Sequence, residues 1–228
     1  MKAILIGLMI VIMQSALFAQ RLMPRVGSTV PVITFDNNFI NHYSKINFLI
    51  GLGYELPINQ KFFVQPEISF VGKGGKFSST NYYRSNLTLY YIEATSPIKF
   101  KIGLPKIAFY LLASPVFGIC VDGRYSVRIR ESYQMETFNV QFKPYPESGG
   151  DDLRFYSYVD HRYELGFQLG AGIELFNHLI VDVRYQQGLT ELYSKKNRGD
   201  HDPIDIKNAK NQLWQFCIIV PFRFKGDK

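Results

Sequence analysis

Between residues 162 and 189 apolar and polar side chains alternate with a period of two through two consecutive runs, and few folds accept both of the faces this creates. Tyr163, Leu165, Phe167, Leu169, Ala171, Ile173 and Leu175 share one side, while Glu164, Gly166, Gln168, Gly170, Gly172 and Glu174 share the other. After Phe176-Asn177-His178 the pattern resumes, with Leu179, Val181, Val183, Tyr185 and Leu189 opposite Asp182, Arg184, Gln186 and Gly188. This reads as a hairpin of two strands, each longer than the ~5–6 residues usual in a soluble sheet and close to the ~9–11 that a tilted strand needs to cross a bilayer. Glu164, Glu174, Asp182 and Arg184 would line a dry core poorly but suit a polar barrel lumen. The bulky apolar side chains do not fit a narrow lumen, so they are expected to face outward.

The same alternation, read along the whole chain, predicts eight strands: 25–35, 45–56, 61–71, 87–102, 107–130, 162–175, 179–189 and 211–225. The connections after the second, fourth and sixth strands are short. Those after the first (36–44), third (72–86), fifth (131–161) and seventh (190–210) are long, polar and rich in turn residues. An even strand number with alternating short and long connections is the pattern of an all-β, eight-stranded antiparallel up-and-down transmembrane β-barrel with short periplasmic turns and long extracellular loops. Eight strands enclose an interior just wide enough for side chains to fill, so the lumen is expected to be plugged rather than open. By parity Glu67, Glu93, Lys99, Glu164, Glu174, Asp182, Arg184 and Arg223 point into it, and buried charges need partners. In the middle of 107–130 both faces are apolar, and only Ser114 and Gly118 hint at the lumen side. Pro66, Pro97, Pro115 and Pro221 fall within strands of a sheet that has no edge to excuse a missing donor, and bulges are expected to absorb them.

Composition bears on location more than on activity. Aromatic residues make up 15% of the chain, 15 Tyr and 19 Phe beside a single Trp, as aromatic belts at two membrane interfaces would require. The formal charge is +7, but Lys and Arg are scattered and accompany no nucleic-acid-binding motif, so anionic lipid headgroups are the expected counterpart and nucleic acid is not. Cys120 and Cys217 are expected to be reduced and buried in strands. Residues 1–19 combine Lys2, an apolar run and the small-residue ending Ser15-Ala16-Leu17-Phe18-Ala19, and read as a secretory signal peptide cleaved after Ala19, with Ala16 as the alternative; residues 20–228 are then the barrel domain.

The signal ending Leu17-Phe18-Ala19-Gln20, Tyr91-Ile92-Glu93-Ala94 with Pro97 before Ile98-Lys99-Phe100, the Gly-alternating run 165–175 and the closing Val220-Pro221-Phe222-Arg223-Phe224 together resemble the PorT-like outer-membrane β-barrel domain family of Gram-negative Bacteroidota. The resemblance covers nearly the whole mature chain and implies an outer-membrane location. Its members resemble one another as barrels, with a link to a protein-secretion machinery in one branch only.

Two constellations invite chemistry. Ser157, Asp160 and His161 could form the hydroxyl, acid and base of a lipid-modifying enzyme at the rim, though polar residues where a loop meets a strand explain them much better. Asp200-His201-Asp202 with Asp205 could offer oxygen ligands to a divalent ion, but without the spacing of a defined calcium loop. Catalytic, cofactor-binding and metal residues are therefore expected to be absent, and no cofactor is implied. The reading is a monomeric, non-enzymatic outer-membrane barrel acting through its long loops on an envelope or external partner. The alternatives are a lipid-modifying enzyme, or a secreted lipocalin-like barrel with the two faces inverted.

Overall fold

In the computed structural model the chain is described over residues 21–34, 40–79, 83–104, 106–129, 134–143, 157–193 and 209–223. The long strands are β1 (Arg21–Thr34), β3 (Asn47–Pro57), β5 (Glu67–Ser79), β6 (Tyr83–Thr95), β8 (Ile107–Ile129), β10 (Tyr163–Leu175), β11 (Leu179–Gly188) and β12 (Lys210–Ile219). Shorter pieces are β2 (Ile40–Tyr43), β4 (Phe62–Val64), β7 (Ile98–Leu104), β9 (Met135–Asn139) and β13 (Phe222–Arg223). Antiparallel pairing runs β1-β3-β5-β6-β8-β10-β11-β12 and returns to β1, so the eight long strands close into a ring. Closure leaves the ring without a free edge.

The strand interruptions coincide with proline. Gln65-Pro66 separates β4 from β5, Ser96-Pro97 separates β6 from β7, and Val220-Pro221 separates β12 from β13. The lost ladder bonds are replaced locally: Gln65 N–H donates to the Pro97 carbonyl at 2.9 Å, and Tyr54 N–H to that of Pro66 at 2.9 Å. Ser96 N–H donates to Ser114 Oγ at 2.9 Å, beside Pro115. Three expected strands are thus continuous in direction and broken in hydrogen bonding, while β8 runs through Pro115 without a break.

Leu165, Phe167 and Leu169 are 56%, 40% and 52% exposed, whereas Glu164, Gln168 and Glu174 are buried, so the apolar face is the outer one. In β8, Phe109, Leu111 and Phe117 face out, and Tyr110, Leu112, Ser114, Val116 and Gly118 face in. Two aromatic groups bound the outward apolar band: Phe48, Phe70 and Tyr90 stack together at one end, and Phe62 with Phe100 (5.1 Å between centroids) at the other. Ten residues along the β6–β7 direction, from Tyr90 to Phe100, measure ~33 Å on the strand and ~25 Å along a barrel axis tilted ~40°, the height of a membrane-spanning band.

Beyond Tyr90 the two faces exchange character. In β6, Ser85, Leu87, Leu89 and Tyr91 point inward, with Arg84, Asn86 and Thr88 outward. The exchange is accompanied in β8 by a bulge where Tyr90 and Tyr91 meet Asp122 and Cys120. Past it Tyr125 and Val127 point in, and Arg124 and Arg128 out. The barrel therefore continues outside the membrane as a water-facing sheet around an apolar core of Ile33, Phe77, Leu87, Leu89, Tyr91, Tyr125 and Val127.

This outer section corrects four sequence expectations. Residues 72–79 and 83–86 are strand, not loop; residues 40–43 pair with β5; residues 135–139 pair with β8; and Val159, Leu192, Tyr193 and Ala209 enter the core. The cause is the exchange of faces: once outward positions no longer touch lipid they cease to be apolar, and the signature of a membrane strand disappears although the strand does not.

Candidate functional site

The lumen is assembled from the inward positions of all eight long strands. Nearest the short turns, Glu174 of β10 is bonded by Arg21 of β1 and by Lys101 of β7 at 3.0 Å, and Lys101 also reaches Glu55 of β3 at 2.7 Å. Lys99, fully buried, lies 3.6 Å from Glu55 and over the Tyr110 ring at 4.4 Å.

At mid-height Arg184 of β11 donates to both Glu67 oxygens, at 2.7 and 3.0 Å, and its Nη2 to Asp182 at 2.7 Å. Arg25 reaches the same Glu67 at 2.5 Å, and the Tyr110 hydroxyl donates to Asp182 at 3.1 Å. Gly172 makes room for Tyr110: a Cβ there would stand 2.4 Å from its Cζ and Oη.

Above this, Lys73 sits between Glu93, at 2.5 Å, and Glu164, which Asn211 also holds at 2.6 Å. The amides Gln186 and Gln215 tie the upper layer to the middle one, Gln186 to Glu93 at 2.8 Å, Gln215 to Gln186 at 2.8 Å, and Arg25 to Gln215 at 3.1 Å.

Arg21, Arg25, Lys73, Lys99, Lys101 and Arg184 thus face Glu55, Glu67, Glu93, Glu164, Glu174 and Asp182, six formal charges against six. Buried ion pairs add little net stability against desolvation. Their geometric consequence is firmer: charged side chains and the apolar core above them fill the bore.

Of the charges expected in the lumen, Glu67, Glu93, Lys99, Glu164, Glu174, Asp182 and Arg184 are there, and the side chain of Arg223 lies outside the described residues. Lys73 was missed because residues 72–86 read as loop, although carrying the parity of Glu67 and Ser69 onward through Val71 would have found it. Arg25 was hidden in a first strand made irregular by Pro24 and Pro31.

Of the constellation at the rim, Ser157 is buried, Asp160 half-buried and His161 exposed. Asp200, His201, Asp202 and Asp205 lie outside the described residues, as do residues 1–19; among the described residues no cluster of metal-ligating side chains occurs. Cys120 and Cys217 are buried free thiols, and Cys217 Sγ lies 3.0 Å from Arg25 Nη2.

Residues 18–194 match the family described as outer membrane protein beta-barrel domain. The chain belongs to that family. It is an outer-membrane protein, as the lipid-facing band and closed ring also require. No curated protein matches it. Among solved structures it is similar to Ail, the attachment invasion locus protein of Yersinia pestis, at 13% identity and a TM-score of 0.44 over 90% of this chain and 100% of that one. Neisserial surface protein A matches at 13% identity and a TM-score of 0.42, covering 88% and 97%. OprG of Pseudomonas aeruginosa matches at 9% identity and a TM-score of 0.43, covering 90% and 96%.

Proposed function

We propose that this family member is a non-enzymatic, monomeric envelope protein that binds through its outer section while its lumen stays shut. The observation that carries the reading is the filled bore: three linked charged layers end beneath an apolar core to which Val159, Leu192 and Tyr193 also contribute. A ring without a free edge supports the monomer. Residues 1–19 are inferred to be removed on export, leaving 20–228 as the barrel domain. The PorT-like family remains the finer placement that Tyr91-Ile92-Glu93-Ala94 and Val220-Pro221-Phe222 support.

Planar-bilayer recording of the refolded chain tests the reading. It expects no sustained conductance, and stable channel openings would overturn it. A lipid-modifying activity would instead predict that His161→Ala abolishes turnover with folding intact.

A further inference from the structure

Among the described residues the lumen charges balance, so they contribute nothing to the +7 formal charge of the chain. Part of that excess is gathered on one face of the outer section. Arg84 on β6 stands directly opposite Arg128 on β8, a like-charged cross-strand pair. In the next row toward the membrane Lys76, Asn86 and Ser126 are aligned across β5, β6 and β8. Lys45 reaches into this row, donating to Asn86 Oδ1 at 3.0 Å; burial and the charge of Lys76 lower its ammonium to about 8.

Among the described residues no carboxylate forms an ion pair with Lys76, Arg84 or Arg128. The three cations instead border a pocket of about 670 Å³, whose wall includes Asn86, Ser126 and Met135. Like charges set opposite one another cost stability unless an anion lies between them.

The height of the cluster says which anion. Tyr90, at the edge of the aromatic belt, is followed outward on the same face of β6 by Thr88, Asn86 and Arg84. At ~3.3 Å per residue and ~40° tilt, the Asn86 row lies ~10 Å and the Arg84–Arg128 row ~15 Å beyond Tyr90, a level that the bulky sugar-phosphate headgroup of a glycolipid reaches and a phospholipid headgroup does not.

We propose that Lys76, Arg84 and Arg128 form a binding site for the phosphorylated sugar headgroup of an outer-leaflet glycolipid. The guanidinium forks of Arg84 and Arg128 supply paired donors for phosphate oxygens, and Lys76 with Asn86 and Ser126 supplies single donors to phosphate or sugar. This names one occupant of the outer section to which the preceding reading assigns binding, and it can fail while that reading stands.

The test is fluorescence anisotropy of labelled lipid A carrying both phosphates, titrated with the full chain refolded in neutral micelles. Parallel arms use lipid A stripped of phosphate, and soluble inositol hexaphosphate as competitor. Each cation near an anionic headgroup contributes a factor of about five, so K76Q/R84Q/R128Q is expected to weaken binding of phosphorylated lipid A by about a hundredfold. It should leave the stripped lipid unaffected, and salt should weaken the wild-type interaction.

Heat-dependent gel mobility verifies that the triple variant is folded. Should it not fold, K76Q and R128Q singly are expected to lose about fivefold each. Equal binding of the two lipids, or substitutions without effect, would overturn the site. Inositol hexaphosphate competing as well as the phosphorylated lipid would reassign it to soluble polyanions and overturn the lipid proposal.

Discussion

Replacing Arg184 by Met keeps the bulk of the side chain and removes the charge at the centre of the lumen. Glu67 then loses both bonds from Arg184 but retains Arg25 at 2.5 Å, so it stays paired. Asp182 fares worse: it loses its bonds to Nε and Nη2 of Arg184, at 3.0 and 2.7 Å, and keeps only the Tyr110 hydroxyl at 3.1 Å. One carboxylate is therefore stranded in a fully buried site, which costs about 3–5 kcal/mol. Adding Asp182→Asn removes the stranded charge and should return about half of that loss. Urea unfolding of the vesicle-embedded barrel can follow the single tryptophan, Trp214, which is half exposed on the lipid face and packed on Tyr185 at 5.2 Å. If Arg184→Met unfolds within about 1 kcal/mol of the wild type and Asp182→Asn adds nothing, water reaches the middle layer and the filled lumen is refuted.

Three further outcomes are expected. Leu169, paired with Ala113 near the middle of the lipid-facing band, should cost about 2–4 kcal/mol when changed to Arg in the same urea assay, because an arginine there faces hydrocarbon. Gly172→Val should push Tyr110 off Asp182 and cost about 1–3 kcal/mol through overpacking, visible as a lower temperature of the gel-mobility transition. Phe176 and Asn177 hold φ of 52° and 59° in the turn between β10 and β11; Phe176→Asn should stabilise the barrel by about 1 kcal/mol, measured by the same transition.

What could be read from residues alone follows the bilayer. Where outward positions touch lipid, physics demands an apolar residue at every second place, and Leu165 through Leu175 or Trp214 through Val220 announce strand, face and register together. Strand number, the short turns and most lumen charges followed from that. Outward of Tyr90 the demand ends. Lys76, Arg84 and Arg128 carry no hydrophobic signal, and the inward Leu87, Leu89 and Val127 alternate too briefly to outweigh a Gly- and Ser-rich neighbourhood. The basic cluster was invisible for the same reason. Its members lie 8 to 52 positions apart in sequence, and only the pairing of β5, β6 and β8 sets them side by side. The prolines were legible as a problem and not as its solution, since the contact of Gln65 with Pro97 depends on two breaks falling at one level.

The exchange of faces at Tyr90 and Tyr91 also acts as a depth gauge. Moving the barrel outward by a single two-residue rung would lift Ile92, 43% exposed, toward water. Moving it inward by one would draw the Lys45–Thr88 level into hydrocarbon. Both displacements are penalised, by lost apolar burial in one direction and by a desolvated charge in the other. The protein therefore carries its own vertical registration, holding the outer section at a constant height above the membrane without help from a partner.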